Sequence, residues 1–271
     1  MGAAGDMLMA ALLELHEDAA GFLRRLNEVG IPKVTVTAES AAKCGIMGTY
    51  VRVKVDGCEE DGHSHGHSHD DAHSHSHEHP HTHGDAHAHA HSHDDSHAHG
   101  SFSELTHLIN HLSISPTVKQ NALAVYRRIA QAESHAHGVP VEQIHFHEVG
   151  EMDAVADIVG VCMLMEELAP QKIICSPVNV GSGHVRCSHG ILPVPAPATA
   201  FIFAHSDCVI YADDTQGELC TPTGAAILTH FAEHCGNLPP LTLSKIGYGM
   251  GTKNFKKANC VRVFLVETAP T

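Results

Sequence analysis

Histidine is the residue type with which this sequence could do most chemistry. The chain has 271 residues and 28 histidines, and 16 of these fall between His63 and His99 in units such as His-Ser-His and His-Ala-His. Neutral imidazole is a ligand for zinc, nickel and copper, and alternate spacing lets neighbouring rings close on one ion. We predict that this tract collects transition metals, the alternative being a low-complexity spacer with incidental metal affinity. Its predicted ligands include His63, His65, His67, His69, His73, His75 and His77.

A second set of metal donors is concentrated between residues 145 and 157. If this segment begins extended, His145 and His147 point to one side and Glu148 to the other. Asp153 and Asp157 are four residues apart and share one face near the start of a predicted helix. This spacing predicts a single-metal site with His145, His147 and Asp157 among its ligands. Alternatively, the acids merely suit a helix N-terminus and one histidine is a satisfied core residue.

A third group of donors lies in the glycine-containing segment 181–190. Cys187 and His189 offer a thiolate and an imidazole two residues apart, a pairing that suits nickel or zinc. The glycines let a backbone approach a ligand closely. We predict that both residues belong to the metal site, although a plain turn with a buried thiol would have the same sequence.

Two further segments could bind an anion. Thr221-Pro222 reads as the N-cap and first residue of a helix, whose free N–H groups could hold phosphate. Residues 247–253 are rich in glycine and end in a lysine, but neither segment matches an established phosphate-loop pattern. An ordinary capped helix and an ordinary turn would look the same. The predicted nucleotide or phosphate ligands are Asp6, Thr221, Thr223, Gly224, Gly249 and Lys253, of which Asp6 is equally readable as a helix cap.

The elements that must position these residues follow from the hydrophobic periodicity. Helices are predicted over 4–15, 19–29, 104–112, 116–133, 151–168 and 221–233. Strands are predicted over 33–39, 50–55, 172–180, 208–211, 241–246 and 260–266. A turn is expected at 44–48, and Ser103 is the expected cap of the third helix. Because strands and helices do not strictly alternate, we predict an α+β fold in which a mixed sheet packs with several helices.

The His-rich tract interrupts this fold. From Gly57 to Gly100 the chain contains no Val, Ile, Leu or aromatic residue. Such a segment cannot bury enough apolar area to offset about 1–2 kcal/mol per residue of backbone ordering. We therefore predict a disordered metal-binding loop over 57–100, between a first part of the α+β domain at 1–56 and its remainder at 101–271.

Composition excludes several classes of function. The chain has 16 basic and 31 acidic residues, which argues against nucleic acid as the main partner. No apolar run reaches the roughly 20 residues that cross a bilayer, and the first residues lack the basic start of a secretory signal. The nine cysteines are odd in number and form no CxxC pair, which favours a reducing cytoplasm.

Taken together, these motifs resemble those of the LarC-type nickel insertion proteins. The motifs that carry the resemblance span nearly the whole chain: Gly5-Asp6-Met7, 145–150, 177–183, 189–197, 221–226 and 247–249. A His-rich insertion in the first half also fits. Two features depart from the family. Met1 begins inside a loop that a short strand with an acidic residue usually precedes, and the family's C-terminal domain would begin about where this chain stops.

The resemblance implies insertion of Ni(II) into pyridinium-3,5-bisthiocarboxylic acid mononucleotide, giving the nickel-pincer nucleotide cofactor of lactate racemase. It also implies consumption of CTP, a divalent metal such as magnesium or manganese, and a lactate racemase-type client. Activity would require the C-terminal domain on this or a separate chain, and we expect a homo-oligomer. Nickel insertion requires a ring carbon to lose a proton, and Glu148 or Asp153 is the expected base of this lyase or cyclometallase.

Two other functions stay open on the sequence. A non-enzymatic nickel or zinc storage or delivery chaperone would use the tract for its capacity and the folded part for docking a client. A metal-dependent hydrolase using His145, His147 and Asp153 would turn over substrate without any thiocarboxylate nucleotide.

Overall fold

The computed structural model describes residues 2–59, 100–146 and 151–267, and these form an α+β fold as predicted. The described helices are α1 (Gly5–Leu15), α2 (Ala19–Glu28), α3 (Phe102–His111), α4 (Pro116–His137), α5 (Met152–Leu168), α6 (Pro197–Ala204) and α7 (Pro222–Phe231), with a single 3₁₀ turn at Val141–Gln143. Within these residues, no helix combines the length and apolar character that a membrane crossing would need.

The strands are mostly short. They are β1 (Val34–Lys43), β2 (Ile46–Val55), β3 (Cys58–Glu59), β4 (Ile174–Cys175), β5 (Val178–Asn179), β6 (Gly181–Ser182), β7 (His184–Cys187), β8 (Gly190–Pro193), β9 (Ile210–Tyr211), β10 (Gly217–Glu218), β11 (His234–Cys235), β12 (Thr242–Met250) and β13 (Cys260–Glu267). The main sheet has the order β1-β2-β12-β13, with β3 on β2. It is mixed because two antiparallel hairpins meet at a parallel bridge between Thr49 and Gly249.

Helix α1 joins the two hairpins of this sheet. Its residues Met9, Ala10 and Ala11 are fully buried, as the nearly all-apolar sequence requires. The half-buried Glu14 accepts hydrogen bonds from Thr49 Oγ1 of β2 at 2.8 Å and from the backbone N–H of Tyr248 of β12 at 2.7 Å. The Glu14 carboxylate thus connects β2 and β12, which among the described residues are paired directly at only one bridge.

The remaining core lies between α1, α4 and α5. In helix α5, residues 154–158 are buried except Asp157, which is half-buried. Helix α4 contributes an apolar face on which Tyr126 and Ile129 are fully buried. Ser115 caps α4 by accepting from the backbone N–H of Val118 at 3.1 Å, and Pro116 occupies the first helical position. This packing fixes the start of α5 beside the middle of α4.

Several predicted boundaries were wrong. The turn between β1 and β2 contains only Cys44 and Gly45, so the residues expected to turn at 46–48 belong to β2. Ser101, not Ser103, caps α3, because it forms a capping box with Glu104. Helix α4 continues one turn past residue 133, because the left-handed Gly138 (φ 67°) provides its C-terminal cap.

Other corrections concern the second half of the chain. The strand predicted over 172–180 is two short strands, β4 and β5, and that predicted over 208–211 is only β9. Helix α6 and the β7–β8 hairpin were not predicted. The start of the predicted loop at 57–100 was wrong, because Cys58–Glu59 pair with β2 as β3, and residues 60–99 lie outside the described residues.

Candidate functional site

Three aspartates from the first two turns of two helices lie together. Asp6 belongs to α1, while Asp153 and Asp157 belong to α5. The helices meet closely at Gly5, where an added Cβ would stand 2.7 Å from both Cβ and Oδ2 of Asp157. A side chain at Gly5 would therefore push the two helix starts apart, which explains why glycine precedes Asp6.

Burial raises the pKa of two of these carboxyl groups, those of Asp6 and Asp157. Burial raises the pKa of Asp6 to about 6. The pKa of Asp157 lies well above the usual range, first because of burial and then because of the charges of Asp6 and Asp153. Oδ1 of Asp157 is buried and has no hydrogen-bond partner among the described residues. An orphaned oxygen among crowded carboxylates is an arrangement that a bound cation would stabilise.

Tyr126 of α4 adds a phenol beside these carboxylates. Its hydroxyl is buried and, within the described part of the chain, has no hydrogen-bond partner. Burial, followed by the charges of Asp153 and Asp157, raises the pKa of Tyr126 well above its ordinary value. No role was predicted for this residue, because its spacing in α4 is that of an apolar core position.

The start of α7 lies beside the start of α1. The backbone N–H of Ala3 donates to Leu219 O at 2.9 Å, and the N–H of Thr221 donates to Ala3 O at 3.0 Å. A Cβ on Gly224 would overlap Ala3 O, so this glycine is needed for the contact. The Thr221 hydroxyl accepts from the N–H of Gly224 at 3.1 Å, while Thr223 is half-buried. Three of the predicted phosphate ligands thus lie near the loop that leads to Asp6.

The 177–183 motif borders the same region. The N–H of Leu219 donates to Val180 O at 3.2 Å, and Gly181 pairs with Glu218. Asn179 is only 1% exposed, and its Oδ1 accepts from the N–H of Gly181 at 3.0 Å. Its Nδ2 lacks a partner among the described residues. Motifs at 2–6, 177–183 and 219–226 therefore converge in space.

The glycine-rich segment at 247–253 lies differently from a phosphate loop. Gly249 is in β12, and an added Cβ there would overlap Met7 O of α1. Gly247 faces Ala11 O in the same way. Lys253 is exposed in the loop after β12, where its carbonyl accepts from Asn259 Nδ2 at 3.0 Å. Helix packing alone accounts for these glycines, and a phosphate role for Gly249 and Lys253 stays a prediction.

Cys187 and His189 lie at a second place, on the β7–β8 hairpin. The His189 ring is 4.8 Å, centroid to centroid, from that of His137 near the C-terminal end of α4. His137 Nε2 is 3.3 Å from Glu133 Oε2. Tyr126 and His137 are eleven residues apart on α4, or roughly 16 Å along its axis. The imidazole and thiolate donors therefore lie near the C-terminal end of α4, whereas the aspartates lie near its middle.

The remaining predicted ligands are only partly described. His145 is exposed and forms an antiparallel bridge with Ser101. His147, Glu148 and the tract ligands from His63 to His77 lie outside the described residues. Of the donors predicted between residues 145 and 157, the structure therefore places Asp153 and Asp157 together. It also places Asp6, a predicted ligand from another segment, beside them.

The aspartate cluster predicts how the stability of the metal-free chain depends on pH. The pKa of an unperturbed aspartate is 3.8, and that of Asp6 in the fold is about 6. Between these two pH values the folded state therefore binds more protons than the unfolded state. The contribution of this carboxyl to the free energy of unfolding is full below pH 3.8 and is lost as the pH rises through about 6.

The measurement is the melting temperature against pH in a chelator, for the unsubstituted chain and for Asp6→Asn. Asp6→Asn is expected to reduce the fall in stability between pH 3.8 and about 6, because the amide does not titrate in this window. The difference between the two curves removes the contribution of the histidines, which both chains share. Parallel curves would contradict the assignment.

The protein is an α+β protein whose mixed sheet packs against α1. Its carboxylates at the starts of α1 and α5, and its imidazole and thiolate groups near the end of α4, are the donor types of a metal-handling site. The model of the family described as nickel insertion protein matches residues 1–271. The chain belongs to this nickel insertion protein family, which confirms the resemblance found in the sequence.

Curated relatives support the same membership. The chain is 42% identical over 272 residues to the pyridinium-3,5-bisthiocarboxylic acid mononucleotide nickel insertion protein of Staphylococcus saprophyticus, covering 99% of this chain and 59% of the relative. The protein of the same name from Desulfitobacterium hafniense is 34% identical, with 99% and 57% covered. That from Alkaliphilus metalliredigens is 33% identical, with 98% and 58% covered. The chain thus spans less than two thirds of these relatives, and no solved structure matches it significantly.

Proposed function

We propose that this chain acts in the insertion of Ni(II) into pyridinium-3,5-bisthiocarboxylic acid mononucleotide, forming the nickel-pincer nucleotide. Family membership and the names of the relatives support this proposal. The observation that carries it in the structure is the Asp6, Asp153 and Asp157 cluster with its orphaned buried oxygen. Nickel is the substrate metal here, and the nucleotide is the acceptor.

The separation of donor types suggests a division of labour. Carboxylate oxygens suit magnesium or manganese, whereas imidazole and thiolate suit nickel. We assign Asp6 and Asp157 to the divalent ion that would accompany CTP, and Cys187 and His189 to nickel on its way to the nucleotide. His145 and His147 are further candidate nickel ligands from the sequence.

The proton of the ring carbon needs a nearby base. Asp153 supports this role, because it lies beside Asp157 at the start of α5 and its Oδ1 accepts from the backbone N–H of Ala154 at 2.6 Å. A neighbouring cation would stabilise the carbanion that develops as the proton leaves. Glu148 is the second candidate base.

The helix start at Thr221 is the proposed phosphate-binding element for CTP. It lies against the Gly2–Ala3 segment, so a phosphate at α7 would be close to a cation held by Asp6. Backbone N–H groups and the helix dipole favour an anion at this position. Thr223 and Gly224 would contribute within the same turn.

The direct test is incubation of the chain with the bisthiocarboxylate mononucleotide, CTP and Ni(II), followed by mass spectrometry for the nickelated product. The reaction is run with and without the C-terminal domain of a longer family member. Product that depends on this chain and CTP is expected. A complete mixture that yields no product beyond a chain-free control would overturn the proposal.

A storage or delivery chaperone is the alternative that the His-rich tract favours. Replacing residues 61–99 by a short Gly-Ser linker separates the two functions. An insertion protein is expected to keep its activity within about twofold at saturating Ni(II) and to lose it at limiting Ni(II), because the tract only gathers the ion. Equilibrium dialysis measures the lost nickel capacity in parallel. Loss of insertion at every nickel concentration would contradict this division.

We further propose that residues 1–56 and 101–271 form one α+β domain, supported by the main sheet, which combines strands from both segments. The proposed setting is the cytoplasm, with a homo-oligomeric assembly and a lactate racemase-type client, as the family resemblance implies.

A further inference from the structure

Three cysteines form a compact cluster away from both donor groups described above. The sulfur atoms of Cys175, Cys208 and Cys235 all lie within 4.8 Å of one another. Across residues 2–59, 100–146 and 151–267, no other set of three or more histidine, cysteine or acidic side chains is this compact. The sequence analysis gave these cysteines no role, because 33 and 27 residues separate them along the chain.

Short strands bring the three sulfurs together. Cys175 of β4 and Cys235 of β11 are direct partners in a parallel pair, and the N–H of Gly236 donates to Cys175 O at 2.9 Å. Cys208 precedes β9, which is held next to β5 by a hydrogen bond from the N–H of Val178 to Val209 O at 2.9 Å. The cluster therefore rests on backbone pairing on two sides.

The surroundings are sheltered but accessible to an ion. Cys235 is 9% exposed, while Cys175 and Cys208 are half-buried. Cys175 Sγ contacts Ser176 O at 3.2 Å. This group of partly buried sulfurs differs from the exposed Cys44 and Cys58 and from the fully buried Cys162.

In the structure, Cys208 and Cys235 are joined by a disulfide with their Cα atoms 4.9 Å apart, and Cys175 is a free thiol. A disulfide alone would explain two of the three cysteines, but not the third sulfur beside them. Sulfurs that ligate one tetrahedral zinc ion lie roughly 3.8 Å apart. The spacing of the three sulfurs is thus compatible with a shared ion once the disulfide is reduced.

We propose that the reduced Cys175, Cys208 and Cys235 form a thiolate site for a thiophilic divalent ion of the zinc and nickel class. Three thiolates ligate the ion and a fourth position faces solvent. A two-electron oxidant such as a diazene joins the Cys208 and Cys235 sulfurs in a disulfide and is itself reduced to a hydrazine by taking up two protons. The ion then keeps only one thiolate ligand and is released. The reverse step takes two electrons and two protons, which a phosphine and water supply as the phosphine becomes its oxide.

The site is tested on the full chain with Co(II) as the probe. Thiolate-to-cobalt charge transfer gives an absorption band that imidazole and carboxylate ligands do not give, so the His-rich tract cannot mimic it. With the chain reduced by a phosphine, the band is expected to appear on addition of Co(II) and to saturate. Cys175→Ser, Cys208→Ser and Cys235→Ser are each expected to weaken Co(II) binding at this band at least about tenfold.

Controls distinguish this site from the exposed cysteines Cys44 and Cys58. Cys44→Ser and Cys58→Ser are expected to leave the band unchanged, and oxidation of the reduced chain by a diazene oxidant is expected to abolish it. Circular dichroism confirms that each variant is folded. A band that survives Cys175→Ser, or that only Cys187→Ser or Cys58→Ser removes, overturns the proposal, as does the absence of a band in the folded, reduced chain. Nickel insertion is assayed separately, so a failure of this proposal is distinguished from a failure of the proposed function.

Discussion

Asp157→Asn is expected to lower the rate of nickel insertion at least about 100-fold while raising the melting temperature of the metal-free chain. The amide keeps the shape of the carboxyl group but cannot carry the charge that a cation requires. It also removes a carboxylate whose charged form is disfavoured by burial and by the charges of Asp6 and Asp153, which together raise the pKa of Asp157. Loss of activity together with a gain in stability identifies a functional site and distinguishes it from a structural defect.

The measurement combines the insertion assay, in the presence of the C-terminal domain, with thermal denaturation in a chelator. Asp207→Asn is the matched control, because Asp207 is exposed and lies outside the cluster. Asp153→Asn is expected to lose activity to a similar degree. Full insertion activity in both cluster variants would refute the assignment of these aspartates.

Gly249→Ala is expected to destabilise the fold by about 3 kcal/mol. The new methyl group would overlap Met7 O and approach the N–H of Ala11 at 2.8 Å, so α1 would have to move off β12. Backbone atoms of a helix have little freedom to yield, unlike the end of a flexible side chain. A change this large would lower the urea midpoint with little change in the denaturant slope.

Gly236→Ala is the control for this substitution. An added Cβ at Gly236 would meet only the ring of the exposed His234, which can turn away. Its expected cost is below about 1 kcal/mol. If Gly249→Ala cost no more than Gly236→Ala, the close contact between α1 and β12 would not be a feature of the protein in solution.

The sequence predicted those parts of the fold in which one element carries its own periodic signal. The alternating valines at 51, 53 and 55 indicated β2, and the apolar face of α4 indicated a helix that is indeed buried on that side. Helix α6 has an almost wholly apolar sequence, PATAFIFA, so no 3.6-residue period distinguishes it. The two-residue strands exist only through their partners and carry no pattern of their own.

The site was predictable only where its residues are neighbours in the chain. Asp153 and Asp157 are one helical turn apart, so their proximity followed from spacing. The approach of Asp6 to Asp157 depends on tertiary packing at Gly5, and nothing local in the sequence indicates it. Tyr126 was not predicted as a site residue, because it lies on the apolar face of α4. The pattern of a core position is the same whether or not the residue also borders a site.

The anchoring of Gly100 has a kinetic consequence. Its carbonyl accepts from the N–H of Phe146 at 3.2 Å, and Ser101 bridges to His145, so the end of the His-rich tract at Gly100 is held next to residues 145–146. The last tract histidines, His97 and His99, are within three residues of this anchor and reach at most about 11 Å from it. Their local concentration is therefore set by the tether, in the millimolar range, and not by the amount of protein. Handover of an ion would then be a first-order event whose half-time stays constant on dilution.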